Sequence, residues 1–586
     1  MAPTVDTGRN VRCAVWSCDA TPAMNAPFSV GRRRVARILT MLTLAVVATF
    51  ADAVEWHLTK TLSATETYSD NVNLAPRGSE QSDFITQVNP GFSLIGRGRR
   101  MNLGLTYTLQ TYSYARNDNL NRVGHQLNAN GWADVVPDVL SVDGRAAVSQ
   151  QNISLRGPIG FDTSTDSANR AEFRTYAAGT TLRNRLGRVA DYQLRYQRDH
   201  VGAQGLGSQY SDADTFSASL TNGSLVATGG IPTTGVSGAT SAVPGGTQGY
   251  ASTGLSQTYA GAGVGQSTAP ASLGAVGRLG WGLFYNRQNI DYTNSSDARF
   301  ETSTLRLSYG LTPRFALTGT GGYENNDYAS TGGSLGGRFW TYGFAWRPSN
   351  LTSLDASLGQ RYYGKTSYFN FSHRSRYFVW NAGYTEAITT TRSQFTIPQV
   401  VSVFAYLDQL FASQVPDPVE RAQLVNLFIF LRGLPPAVIA PVNFVTNQVF
   451  LDKSLRASVA YSAGKTTTSA YLFRTTRDSD VARSTSVLAV QNDFSVSGNI
   501  RQTGGGANFN WQVAPKTTLN FDLGYTELLF VSNGQRDLLR FQRVGATYQF
   551  NQRTTGMLAL RHNNRTSNTS SGYEENALTA TVAVRF

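Results

Sequence analysis

Cysteine is almost absent from this 586-residue chain: Cys13 and Cys18 are the only two. Everything after residue 18 is therefore without a disulfide, a thiolate metal ligand or a cysteine nucleophile. The C-x4-C spacing has no second pair, so it is assigned no zinc. Charge is also scarce, at 15 % against about 25 % in ordinary soluble proteins. After residue 53 there is no Lys/Arg block of the kind that binds nucleic acid, so no nucleic-acid partner is expected. The five histidines, His57, His125, His200, His373 and His562, form no His-Glu-x-x-His or Cys/His grouping, so neither a metal nor a cofactor is expected. No apolar run reaches the ~20 residues of a membrane-spanning helix. The longest, Ile38 to Phe50, has 13.

That run belongs to a leader. Arg32, Arg33, Arg34 and Arg37 precede it and Ala51-Asp52-Ala53 follows it as an A-x-A cleavage site, so residues 1–53 read as a secretory signal with an over-long start. Met24 offers a second start that would give a signal of ordinary length. The whole chain carries +13; without residues 1–53 it carries +10, mostly arginine.

What is abundant is glycine (56), tyrosine (27) and phenylalanine (30), set in period-2 runs. Leu103, Leu105, Tyr107 and Leu109 alternate with polar residues. So do Leu305, Leu307, Tyr309 and Leu311, and Leu519, Phe521, Leu523 and Tyr525. Each is a half-buried strand by the period rule. The last nine residues, Leu578 to Phe586, put Val582, Val584 and the terminal Phe586 on one face and Thr579, Thr581 and Arg585 on the other, as in the closing strand of an outer-membrane barrel. Tight turns at Pro137, Pro313, Pro348, Pro515 and Asn551-Gln552 fall on one side. Long polar loops at 68–82, 152–169, 202–254, 327–337, 389–450, 478–502 and 566–574 fall on the other. The fold expected is all-β: a transmembrane antiparallel up-and-down β-barrel of about 22 strands (20–24) over residues 54–586, with the tight turns periplasmic. The eighth strand is either 210–222 or 255–266. Tyr112, Tyr114, Trp132, Tyr285, Tyr292, Trp340, Trp346, Trp380 and Trp511 are expected in aromatic girdles.

Residues 392–450 break the pattern. Phe404, Leu407 and Phe411 follow helical spacing, as do Leu424, Leu427, Phe428 and Leu431 after an Asp417-Pro418 cap. Two short helices in an outer loop are expected. Their apolar faces can plug or cap the lumen, lie on the outer leaflet, or meet a partner. By parity the lumen receives Arg195, Arg306, Arg456, Arg561 and Arg585 with Asp143, Asp291, Asp355 and Asp522, a mixed set suited to bracing the interior or to selecting polar solutes. No catalytic constellation stands out. Asp199-His200, with Ser208 and Ser211 after it, is a poor dyad because adjacent strand residues point apart. Gly504-Gly505-Gly506 reads as strand positions kept free of side chains.

Several segments together resemble one family: EWHLTKTLSATETYSDNVNLAP (55–76), LGWG (279–282) with YNRQNIDY (285–292), GYENNDY (322–328), and His373-Arg374-Ser375-Arg376 with Trp380 and YTEAITTTR (384–392). These are similar to the PEP-CTERM-system-associated outer-membrane β-barrel proteins, over most of 54–586. The resemblance implies a Gram-negative outer-membrane location and an association with exopolysaccharide and protein-sorting systems, and it carries over no catalytic residues. The function expected is a non-enzymatic plugged or gated pore serving envelope biogenesis or export of exopolysaccharide or a sorted surface protein. A docking protein for such polymers is the alternative, and an outer-membrane barrel hydrolase a third reading. Expected partners are outer-membrane lipid and lipopolysaccharide, the barrel-assembly machinery, and exopolysaccharide or sorted surface proteins.

Overall fold

The computed structural model describes residues 54–160, 162–165, 169–204, 209–222, 225, 279–293, 296–328, 335–390, 392, 449–479 and 498–586. The leader 1–53 and the helical stripe from Phe404 to Leu431 lie outside the described residues.

Among the described residues the chain forms 22 antiparallel strands. The first eleven are β1 (Val54–Ser69), β2 (Asp83–Gly98), β3 (Met101–Tyr114), β4 (Arg122–Val136), β5 (Leu140–Asn152), β6 (Arg170–Leu186), β7 (Ala190–Gln204), β8 (Gln209–Thr221), β9 (Leu279–Tyr292), β10 (Ala298–Thr312) and β11 (Phe315–Asp327). The rest are β12 (Gly336–Ser349), β13 (Thr352–Arg361), β14 (Gly364–Arg374), β15 (Phe378–Thr390), β16 (Val449–Ala463), β17 (Thr466–Asp478), β18 (Asn499–Ala514), β19 (Thr517–Phe530), β20 (Gln535–Gln549), β21 (Thr554–Ser567) and β22 (Tyr573–Arg585). Each strand pairs with its sequence neighbours. β22 closes on β1 from Thr61↔Arg585 to Ser69↔Ala577, so the sheet has no outer edge. Closure is what lets a sheet sit in hydrocarbon, where an unpaired backbone group costs several kcal/mol.

Alternation decides which side of each strand is wet. On β10, Leu305, Leu307 and Tyr309 are exposed on the outer wall while Thr304 and Ser308 are buried inside. Leu523 and Leu560 are exposed outward in the same way. A wall of leucine and valine facing outward has no stable contact with water, and lipid is the solvent it fits. Trp340, Trp346, Trp380 and Trp511 stand exposed on this wall. The other girdle expectations divide. Tyr285 lies on the outward face beside Ser303, whereas Tyr112 and Tyr114 are buried in an interior cluster and Tyr292 packs inward. Trp132 faces the lumen opposite Asp143.

The strand count and parity agree with the alternation pattern, with one correction. β8 is Gln209–Thr221, so the β7–β8 connection is short, and the Gly/Ser/Thr-rich stretch after residue 222 joins β8 to β9 on the side of the tight turns and both barrel termini. The sequence placed that length among the outer loops. Small polar residues carry no periodicity, so the segment's side could not be read until β8 was fixed.

Two pairings stop short at the loop side, called here the mouth. β4 and β5 pair only up to Leu127↔Val148, leaving Arg122–Gln126 and Ser149–Asn152 apart. β14 and β15 pair only up to Phe369↔Tyr384, although β15 continues to Thr390. These seams are ten strands apart, on nearly opposite sides of the wall. Each lies where a hairpin, β5–β6 or β15–β16, tilts inward and leaves its preceding neighbour behind.

Candidate functional site

The lumen near the base is polar and wet. Thr106 faces inward and is exposed. Arg195 on β7 reaches past β6 to Asp143 on β5, with paired bonds of 2.6 and 2.8 Å, and also donates to Thr181 and Gln197. Gly179 makes this reach possible: a Cβ there would stand 2.6 Å from the guanidinium. Asp355 pairs with Arg347 at 2.8 Å. Asp522 accepts from Asn508 and lies 4.0 Å from Arg543. Arg306 sits 4.7 Å over the Phe284 ring, and Arg456 donates to Ser454. Arg585 is half-buried on the lumen face of β22. Glycine serves the wall once more at Gly504 and Gly506, where a Cβ would collide with the inward rings of Phe473 and Tyr471.

Because these charges pair side to side along the wall, they brace it. Asp143→Asn is expected to lower the unfolding stability in urea by about 1 kcal/mol, the value for a half-exposed pair after solvent screening. The same variant should leave the reversal potential in asymmetric salt unchanged.

The mouth has the opposite character. The β5–β6 loop folds into the barrel. Leu155 and Ile159 are buried with Phe450 of β16, Ile500 of β18, Leu528 and Phe530 of β19 and Leu539 of β20. Polar groups from β3, β4, β21 and β22 hold the loop's backbone. Arg565 on β21 donates to the carbonyls of Leu155, Arg156 (2.9 Å) and Gly157, while its charge is met by Asp537 at 2.6 Å. That pair is almost fully buried, at 3 % and 0 % exposure. Arg561 bonds both Asp162 of the loop and Glu575 of β22. Tyr573 donates to the Ile159 carbonyl at 2.7 Å, Tyr114 to Ser164 at 2.9 Å and Arg122 to Thr163 at 2.7 Å. Inside the loop, Asn169 ties Ser154 and Pro158 together.

A second piece crosses from the other side. Val449, Phe450 and Leu451 are consecutive and all at most 3 % exposed. Consecutive strand residues point to opposite faces, so both faces of the β15–β16 end are covered. Phe450 joins the cluster around Leu155, while Val449, Leu451 and Ile388 join Ala213, Ile290, Ala298, Phe300 and Tyr328 from β8 to β11. Arg392, just past β15, donates to Asp199 on β7 (2.6 Å) and to Ser211 on β8 (2.5 Å). The hairpin end therefore stands inside the mouth as a partition. Burial, with the Tyr328 hydroxyl beside it, pushes the Tyr362 phenol in the β13–β14 turn far above its ordinary range, so it stays protonated.

Strand length explains the inversion of polarity. Strands run from 10 to 17 residues. Fourteen residues tilted by ~40° rise about 35 Å, more than the ~25 Å apolar band. Above that band the outside is no longer oil, and apolar side chains turn inward. Asp291, expected in the lumen, is corrected on this ground: it is exposed on the outer wall, and its neighbours Ile290 and Tyr292 point in.

Asp199 and His200 part as expected. Asp199 is held inside by Arg392, and His200 points out, its Nδ1 2.8 Å from Asp212 and its ring stacked by Tyr176 and Tyr210. Asp212 is a partner the sequence did not suggest, because only the β7–β8 register sets it opposite His200.

Of the sequence's lumen set, the structure brings Arg195 to Asp143 and places Arg561 at the loop. It leaves Arg306 without an acidic partner among the described residues, and Asp291 outside. The insert's plug residues Phe404, Leu407, Phe411, Leu424, Leu427, Phe428 and Leu431 lie outside the described residues. Sequence reading missed the 153–165 loop. Its signal was present in Ile153, Leu155 and Ile159, three apolar residues in an otherwise polar connection.

No family model matches the chain, and no curated protein matches it. Among solved structures, the siderophore receptor PirA from Pseudomonas aeruginosa is similar at 11% identity, over 90% of this chain and 80% of that one, with a TM-score of 0.37. A ferric enterobactin receptor mutant (PfeA) of the same organism is similar at 9%, over 90% and 81%, with a TM-score of 0.43. OpdK, again from Pseudomonas aeruginosa, is similar at 7%, over 90% and 99%, with a TM-score of 0.32. TM-scores this low assign neither family nor cargo. What the chain's own geometry establishes is a closed 22-stranded antiparallel β-barrel of the outer-membrane type, with a polar lumen and a mouth into which the 153–165 loop packs.

Proposed function

We propose that the chain is a gated outer-membrane channel, shut at its extracellular mouth by the 153–165 loop and the β15–β16 hairpin end. The observation that carries this reading is the Arg565–Asp537 pair: a buried charge whose remaining hydrogen bonds go to the backbone of a loop that starts six strands away around the barrel. Such bonds fix that loop in one place, and the wall closes without them. The base of the lumen is wet and needs no opening.

Cargo follows from the resemblance: exopolysaccharide or a sorted surface protein, in envelope biogenesis. Lipopolysaccharide is the proposed outer-leaflet neighbour. A belt of mixed charges on the outer wall above the leucine band supports it, including Arg299–Asp327 and Arg174–Glu172. Phe586, 67 % exposed at the base with its amide bonded to Lys60, is the part the barrel-assembly machinery would read. The chain acts without catalysis in this reading. His200 is spent on Asp212 and two tyrosine rings, and no hydroxyl among the described residues bonds its other nitrogen.

Planar-bilayer recording tests it. The intact protein is expected to open rarely. Deleting residues 155–165, or changing Arg392 to Ala, should give sustained conductance. Sealed bilayers from both variants, with folded barrel in the membrane, would end the channel reading and favour the docking one.

A further inference from the structure

The β14–β15 seam lies at a depth where a barrel wall has to be complete. Trp380 is exposed on the outer face of β15 near its base. Glu386 is six residues further up. At about 2.5 Å of rise per tilted residue that is roughly 15 Å above the lower girdle, inside the ~25 Å apolar band. Yet Gly364–Tyr368 and Thr385–Ile388 have no ladder bonds to one another. Two facing rows of backbone N–H and C=O at that depth are not tolerated by acyl chains. Something with hydrogen-bonding groups has to occupy the gap.

Side chains fill part of it. Continuing the register sets Ser367 opposite Glu386, and there the Ser367 hydroxyl donates to Glu386 Oε1 at 3.3 Å, with Tyr384 donating to the same oxygen at 2.5 Å. Glu386 is only 7 % exposed, and its second oxygen, Oε2, is buried with no partner among the described residues. A buried carboxylate oxygen without a donor is costly, and it marks where a donor from outside the protein would bind. Tyr362 and Tyr363, at the tip of the β13–β14 turn, stand edge to face and pack against the cluster that includes Ile388. Carboxylate, hydroxyl and flat aromatic faces in one cleft are the chemistry that holds a sugar-like polyol.

We propose that the β14–β15 seam is a lateral port in the outer half of the wall, and that it takes an amphipathic molecule with a hydroxylated headgroup and an acyl tail. The headgroup sits against Glu386 and the open strand edges, and the tail stays in the outer leaflet beside Phe369. This assignment stands apart from the gating of the mouth: a barrel whose mouth never opens can still have the port.

Thiol accessibility tests it on the full chain in phosphatidylethanolamine vesicles. Ser367→Cys is compared with Leu358→Cys, its register partner on β13, which is exposed on the lipid-facing wall. A charged, membrane-impermeant methanethiosulfonate should modify Ser367→Cys at least about tenfold faster than Leu358→Cys. A few mole percent of dodecyl maltoside should protect Ser367→Cys, and dodecylphosphocholine at the same level should not. Adding Glu386→Gln should raise the protecting maltoside level by about tenfold, the worth of a hydrogen bond to a charged acceptor. If Ser367→Cys reacts as slowly as Leu358→Cys, the seam is dry and there is no port. If it reacts fast but maltoside gives no protection, the gap holds water alone and the ligand assignment falls. Conductance does not enter either outcome.

Discussion

Arg565→Ala is expected to raise the open-state occupancy of the channel by two orders of magnitude or more in single-channel recording. The side chain makes two kinds of contact at once. It donates to three successive carbonyls of the 155–157 backbone, and it neutralises Asp537, which is completely buried. Removing one partner of a buried pair costs about 3–5 kcal/mol, and about 1.4 kcal/mol is a factor of ten in an equilibrium. In the closed state the Gln535 amide, at 3.1 Å, still donates to Asp537 but brings no charge to replace the guanidinium. When the loop leaves, water reaches Asp537, so the penalty falls mainly on the closed form. The double change Arg565→Ala with Asp537→Asn separates the two contacts. It removes the stranded charge and should recover part of the stability, but the loop carbonyls still lack their donor and the mouth stays leaky. If the single variant conducts no more than the intact protein, Arg565 is not what holds the loop.

Leu560→Arg is expected to cost about 2–4 kcal/mol in unfolding from lipid, read as a lowered urea midpoint of the heat-modifiable folded band. Leu560 is the seventh of fourteen residues in β21 and 60 % exposed on the outer wall, near the middle of the apolar band. A guanidinium there faces hydrocarbon, where the penalty is largest at the midplane. The next residue is already an arginine. Arg561 is only 9 % exposed and pairs with Asp162 and Glu575 on the lumen side. One step along the strand exchanges the two solvents. A neutral effect of Leu560→Arg would mean that this face does not meet lipid.

The alternating runs carried most of the architecture. Leu305, Leu307 and Tyr309 against Thr304, Arg306 and Ser308 name both faces of β10 by their chemistry alone, and the terminal Val582, Val584 and Phe586 name the closing strand. The same rule misled at strand tops. Tyr112, Tyr114 and Tyr292 have the chemistry of girdle residues, yet they point inward. Asp291 has the chemistry of a lumen residue, yet it points outward. Alternation gives two faces and does not say which one meets oil once the strand has risen past the bilayer.

The site was less legible. Arg561 could be placed in the lumen from parity, but its partners Asp162 and Glu575 come from opposite ends of the chain. The plug was sought at 392–450, where helical spacing stood out. That stripe lies outside the described residues; among the described residues a loop of ordinary length, 153–165, puts Leu155 and Ile159 against Phe450, Phe530 and Leu539 across the lumen.

By itself the sequence determined that the chain crosses oil as strands, how many times, and which side holds the tight turns, because a period of two and a scarcity of charge are local properties written in every segment. Only the tertiary structure decided which loop packs into the mouth, what it meets there and where the wall is left unpaired. Those features depend on which strands face each other across the lumen, and that distance is set by closing the barrel, not by any stretch of the chain alone.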